Sequence, residues 1–261
     1  MLLSHPELMI PSLLSGLIIG LFLAMFGGGG SVLAVPLLIY CVGISDPHVA
    51  IGTSAAAVAV IAMFNLMGHW KTGTIKWPCA TLFGAFGIIG SLGGSTLAKQ
   101  IDGSILLIGF SMVMVAIGLS MLRIPKSNGA NTARLNRKLA LKIIPLALII
   151  GFAAGFFGIG GGFLIVPGLM LATHMPLHNA VGSSLFSVVL FGAATSANYA
   201  FSGWVNFPIV GFVLLGGILG GVIGLKFSKL LKSHILLGRR LFATMIIGVA
   251  GYVAYGAALS C

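Results

Sequence analysis

Apolar runs follow one another in the same order twice along this chain. The first set is Ser12–Phe26, Ser31–Val42, Val49–Gly68, Pro78–Ala98 and Ile105–Leu122. After a polar, basic stretch, Arg123–Lys142, come Pro145–Phe157, Gly162–Ala172, Ala180–Tyr199, Pro208–Phe227 and Arg240–Leu259. The third, fourth and fifth runs of each set are about 20 residues long, enough for a helix to cross a ~30 Å hydrocarbon core. The first and second runs are shorter, about 11–15 residues, or roughly 17–23 Å of helix. Each short pair therefore predicts a helical hairpin that enters the membrane and bends between its two arms.

The bends fall on glycines. FGGGGSVLAVP at Phe26–Pro36 and FGIGGGFLIVP at Phe157–Pro167 repeat one motif at an offset of 131 positions. Further on, AIGTSAA at Ala50–Ala56 pairs with AVGSSLF at Ala180–Phe186 at an offset of 130. Gly73, Trp77 and Pro78 pair with Gly203, Phe207 and Pro208 at that same offset. So do Gly87, Gly90, Gly94 and Lys99 with Gly217, Gly220, Gly224 and Lys229. The chain reads as a duplication, with a first repeat at 1–122, a linker at 123–142 and a second repeat at 143–261.

Composition fixes the solvent. Hydrophobic residues make up 58% of the chain and charged ones only 7%, whereas a soluble domain carries about 25% charged residues. The expected fold is an all-α polytopic membrane protein. The net charge of +11 comes from 14 Lys and Arg against 3 Asp and Glu, clustered at loops and helix ends without interleaved aromatics. That suits basic loops held on the cytoplasmic face and excludes nucleic acid as a partner.

Loop charge also orients the halves. The loop after the third run holds Lys71 and Lys76 in the first half, whereas FSGWVNF in the second is uncharged. After the fourth run the pattern reverses: Lys99 and Asp102 in the first half against Lys226, Lys229, Lys232, Arg239 and Arg240 in the second. Equivalent loops then face opposite sides, which predicts two inverted repeats of about five helical segments each. The linker lies in the cytoplasm and both termini lie outside. Trp70, Trp77 and Trp204, at run ends, read as interfacial anchors. The N-terminus has no basic region followed by a small-residue cleavage site, so it reads as part of the mature protein.

The candidate chemistry lies at the glycines. Backbone that leaves helical geometry inside a bilayer is tolerated only against protein or a watery cavity. Duplicated breaks in spanning segments point to a transporter's binding site. A helix starting after each cluster presents unpaired amides and the positive end of its dipole, a ready anion site. The candidate substrate-binding residues are Gly27, Gly28, Gly29, Gly30 and Ser31 in the first half, and Gly158, Gly160, Gly161 and Gly162 in the second. Thr53 and Ser54, with Ser183 and Ser184, open the third runs, where their hydroxyls cap a helix or donate to a substrate oxygen. Asn65, Ser196 and Asn198 either line the path or bond between helices. The glycines of the fourth runs, spaced by three and four, suit close helix packing.

The carboxylates Glu7, Asp46 and Asp102 all fall in the tail or loops, so no acidic group sits in the membrane to bind a cation. Cys41, Cys79 and Cys261 have neither CxxC spacing nor histidine partners, so no metal is expected. No Ser/His/Asp set, HExxH or P-loop occurs. The chain reads as neither an enzyme nor an ATPase, with no cofactor, and its partners are the lipid bilayer and a small anion. A homodimer is compatible with the pattern. Two other classes fit less of it: a passive channel for a small metabolite, and a membrane anchor subunit.

The paired glycine motifs, each followed by a GTS or GSS element, resemble the TauE/SafE sulfite exporter family (DUF81-type permeases) from about Leu13 to Ala257. The second motif is the closer match; the first has Gly28 and Ser31 where the second has Ile159 and Gly162. The resemblance implies transport of small sulfur oxyanions or organosulfonates, such as sulfite, sulfoacetate or thiosulfate, across the bacterial inner membrane.

Overall fold

The computed structural model describes residues 8–71, 73–122, 137–158, 162–173, 175–230 and 235–259. Among these every regular element is helical. Helix α1 (Met9–Phe26) runs into a 3₁₀ segment (Gly27–Leu33) and a short α2 (Ala34–Tyr40). Helices α3 (Pro47–Lys71), α4 (Trp77–Ala98) and α5 (Gly103–Leu122) complete the first half. The second half holds α6 (Arg137–Phe156), α7 (Gly162–Thr173), α8 (Leu177–Ala200), α9 (Phe207–Leu230) and α10 (Ile235–Leu259).

Six described stretches have the length and composition to cross a membrane: Met9–Tyr40, Pro47–Lys71, Trp77–Ala98, Leu139–Phe156, His178–Ala200 and Phe207–Phe227. The first arms, α1 and α6, have 18 and 20 residues, not the shorter runs expected. Their helices continue upstream past the prolines that bound the runs: α1 starts at Met9, ahead of Pro11, and α6 at Arg137, with Pro145 inside it. At 1.5 Å per residue both arms reach roughly 27–30 Å, long enough to cross. The second arms do stay short, 7 residues in α2 and 12 in α7. Helix α6 also begins inside the stretch read as linker.

The helices pack in an order that is preserved when the halves are exchanged. Helix α1 lies along α9 and α6 along α4, while α3 meets α8 and α5 meets α10. Helices α3 and α8 form the centre, with 67% and 61% of their spans buried against 33–44% for the others. Glycine sets the outer seams. A Cβ on Gly20 would strike the Gly217 carbonyl, and one on Gly220 the Leu17 carbonyl. On the other side, Gly94 meets the Phe152 carbonyl and Gly155 the Ser91 carbonyl. These are backbone-on-backbone contacts, the packing role expected of the fourth-run glycines.

Candidate functional site at the crossed glycine turns

Each glycine cluster is packed against the hydroxyl-bearing helix of the opposite half. The chain leaves α1 at Gly27 (φ +63°) and α6 at Gly158 (φ +64°), the left-handed region open to glycine at little cost. At Gly27 an added Cβ would lie 2.8 Å from Ser184 Oγ and 2.9 Å from the Val181 carbonyl oxygen. At Gly158 it would strike the Ile51 side chain. Ile51 and Val181 are themselves repeat mates, so the two turns are built the same way from exchanged parts.

Polar contacts cross in the same sense. The Gly28 N–H donates to Ser184 Oγ at 3.3 Å, and Ser54 Oγ donates to the Gly158 carbonyl at 3.4 Å. Ser184 and Ser54 also donate within their own helices, to Val181 and Ile51. The two clusters touch one another as well. A Cβ on Gly28 would overlap the Gly162 main chain, and the reverse holds. Gly27, Gly28, Gly29, Gly30 and Ser31 are all buried, as are Gly158, Gly162, Thr53, Ser54, Ser183 and Ser184. Gly160 and Gly161 lie outside the described residues.

Three local expectations change. The first cluster is not a free loop before a helix: Gly27–Leu33 winds as 3₁₀ and hands its hydrogen bonding to α2, with the Ala34 N–H bonding the Ser31 carbonyl. Helical bonding thus starts at the glycines themselves, and Ser31 Oγ donates back to the Gly28 carbonyl at 2.7 Å. Gly30 seats the segment against the main chain of Phe22 and Leu23, which folds the chain back on α1.

The hydroxyl pairs do not open their helices. Helices α3 and α8 start six residues before them, at Pro47 and Leu177, and α3 is capped by Asp46, whose carboxylate accepts the His48 N–H at 2.8 Å. Thr53 and Ser183 serve other helices instead. Thr53 Oγ1 accepts the Asn206 N–H at 3.0 Å just ahead of α9, and Ser183 Oγ accepts the Lys76 N–H at 2.9 Å just ahead of α4. Asn206 and Lys76 are repeat mates too, so the two bonds form a reciprocal pair between halves. Trp204 is the third change. It is half-buried and stacks on His48 (ring centroids 5.0 Å apart), whereas Trp70 stays exposed against Trp77.

A polar seam between α4 and α8 was only partly legible. Asn198 Nδ2 donates to Ser95 Oγ at 2.7 Å and to Thr96 Oγ1 at 3.0 Å, and Ser91 Oγ meets Thr195 Oγ1 at 2.9 Å. Lys99 Nζ closes the seam on the Asn198 carbonyl at 2.8 Å and Ser202 Oγ at 2.9 Å. Asn65 Nδ2 reaches the Gly20 carbonyl at 3.5 Å, an interhelical bond. The four- and three-residue spacing of Ser91 and Ser95, and of Thr195 and Asn198, is the signal that places them on facing stripes. Among the described residues no carboxylate lies within a spanning segment: Asp46 precedes α3 and Asp102 precedes α5.

Crossing helices with two broken arms meeting at the centre define a polytopic helical membrane protein of the kind that carries solutes. Residues 12–253 match the family model described as sulfite exporter TauE/SafE. The chain belongs to that family of membrane transporters. A "probable membrane transporter protein" of Xylella fastidiosa (strain Temecula1) is 44% identical over 245 residues, covering 92% of this chain and 93% of the relative. The "probable membrane transporter protein YdhB" of Bacillus subtilis is 28% identical, covering 85% and 90%. MJ0441 of Methanocaldococcus jannaschii, described in the same words, is also 28% identical and covers 94% of both chains. No solved structure matches the chain.

Proposed function

We propose that this protein is a secondary transporter that moves a small sulfur oxyanion or organosulfonate across the bacterial inner membrane by alternating access, with the crossed glycine turns as its binding region. The observation that carries this reading is the meeting of Gly28 and Gly162, main chain against main chain, at a point where each half supplies a glycine turn and the other half supplies its hydroxyl partner. Amides there lie in a buried setting where an anion's charge is weakly screened. A relative motion of the halves breaks and remakes reciprocal contacts such as Thr53–Asn206 and Ser183–Lys76 in turn. The family's description as sulfite exporter supports sulfur anions over other oxyanions.

The same reading takes the repeats as inverted, with the 123–142 linker in the cytoplasm and both termini outside. It rests on the reversal of loop charge between halves. Cysteines introduced into the linker should label with an impermeant reagent from the cytoplasmic side only; labelling from outside would overturn the orientation.

The substrate class is tested by thermal unfolding of the purified protein with sulfite, thiosulfate, sulfoacetate, taurine, sulfate, phosphate and carboxylates. One or more sulfur anions should raise the unfolding temperature and show saturable flux in proteoliposomes. A flux that never saturates would mark a passive channel instead.

A further inference from the structure

Two segments line a cleft of about 580 Å³ at one end of the molecule: Asp46–His48 at the start of α3, and Lys99–Ile105 across the α4–α5 connection and the first turn of α5. The α8–α9 loop closes against it through Trp204. By the loop-charge argument this is the end away from the cytoplasm. The His48 ring stacks on Trp204 (5.0 Å, 28°) and faces Tyr199 (6.4 Å, 28°). Two buried polar atoms here have no hydrogen-bond partner: His48 Nδ1 and the Tyr199 hydroxyl. Tyr199 is fully buried.

We propose that His48 is a proton-binding site that latches this end of the transporter: neutral, it holds the α8–α9 loop against α3, and protonated, it releases it. The step is the addition of one proton from water to the ring nitrogen that lacks it, leaving an imidazolium with N–H groups on both nitrogens. In the closed arrangement Nδ1 is enclosed without an acceptor. A neutral ring in the tautomer with the proton on Nε2 tolerates this better, because an unfilled lone pair costs less than an unpaired charged donor. A charged ring does not, because its Nδ1–H would be a buried, unpaired donor of an ion, the costliest kind of unsatisfied group. The attraction of imidazolium for the Trp204 face is too small to offset that. The ring leaves the stack for water and for the carboxylates in the cleft.

The charged and titratable groups facing His48 are few. Asp46 is on its own loop, Asp102 is on the α4–α5 connection and Tyr199 is on α8; the α8–α9 loop contributes no ionisable side chain. Lys99 also lines the cleft, but its ammonium is tied to Asn198 and Ser202 and lies 5.7 Å from the Tyr199 ring centre. Burial lowers the Lys99 pKa from its ordinary value, yet the side chain stays an ammonium and its charge is directed at the Asn198 carbonyl and Ser202.

Release has a short route to the glycine turns. The Trp204 carbonyl rests on Gly52, and Asn206 hangs from Thr53. Their immediate neighbours on the same helix, Ile51 and Ser54, hold Gly158. Positions 178, 69 and 74 are the repeat mates of 48, 199 and 204, and they carry His178, His69 and Thr74. There both ring nitrogens of His69 are engaged, with Thr74 and the Ala24 carbonyl. The two ends are therefore chemically unlike, and the unpartnered ring nitrogen belongs to the His48 end. The latch stands on the cleft alone; its effect on transport rests on the glycine turns being the substrate site.

The test needs no substrate at first. In the full-length Trp70→Phe, Trp77→Phe protein, Trp204 is the sole tryptophan reporter. Its emission should shift to the red on acidification across pH 8 to 5, where histidine changes charge, and His48→Gln should abolish the shift. A pH-independent emission, or a shift that survives His48→Gln, would overturn the latch. Saturable flux of thiosulfate, whose own charge is constant across this range, should vary in proteoliposomes with the pH on the cleft side and lose that dependence in His48→Gln. A wild-type flux indifferent to pH, alongside a titrating emission, would overturn the coupling while leaving the substrate site intact.

Discussion

Replacing Gly28 with valine abolishes transport, by about 100-fold or more in initial flux, while the protein still reaches the membrane. The position has no room for a Cβ, because it would overlap the Gly162 main chain. Three added carbons would prise the two turns apart at the point where the halves meet. Overpacking of this kind costs about 1–3 kcal/mol, occasionally more, and each 1.36 kcal/mol that is spent on a transport barrier is tenfold in rate. Gly211→Val is the matched control. A Cβ there meets nothing within 4 Å, so its flux should be that of the parent protein. Equal flux from both variants would mean that the glycine turns do not carry the substrate.

The second large effect separates the two reciprocal serines. Ser184→Ala removes the acceptor of the buried Gly28 N–H, leaving a donor unpaired at about 1–3 kcal/mol. Ser54→Ala removes a long donor to the Gly158 carbonyl, and a carbonyl tolerates partial satisfaction better than an N–H. Ser184→Ala should therefore lower the unfolding temperature in detergent clearly more than Ser54→Ala. Equal losses would show that the contacts are not held as described.

What the sequence made legible follows from which forces are local. The doubled glycine motif and the offset of 130 between halves can be read off because backbone breaks in lipid need glycine and a duplication preserves position. Even the exchange contacts respect that offset: Ile51 with Val181, Thr53 with Ser183, and Lys76 with Asn206. What stayed hidden is which half each group would touch. Thr53 and Ser183 read either as caps of their own helices or as donors to a substrate oxygen; Pro47 and Leu177 already start those helices, and the hydroxyls answer N–H groups 153 and 107 residues away in sequence. No periodicity carries a tertiary partner of that kind. The lengths of α1 and α6 were hidden for a different reason: the runs were bounded beside prolines, at Ser12 and Pro145, whereas α1 takes Pro11 into its first turn and α6 carries Pro145 inside.

His48 shows a third limit. Its repeat mate His178 is visible in the sequence, so the pair had a signal. A lone histidine beside a proline nonetheless gains meaning only once Trp204 and Tyr199 are brought against it from the other half. Trp204, read as an anchor in the interface, is the residue whose role changed most when the loops came together.

Amide hydrogen exchange gives the most direct measurement on the opposed turns, taken with and without whichever sulfur anion shows saturable flux. Slowed exchange at 27–31 and at 158–162 together, with the exposed loops unchanged, is the result expected of two main-chain arms closing on one anion. Saturable transport with neither arm protected would place the substrate elsewhere and contradict the account.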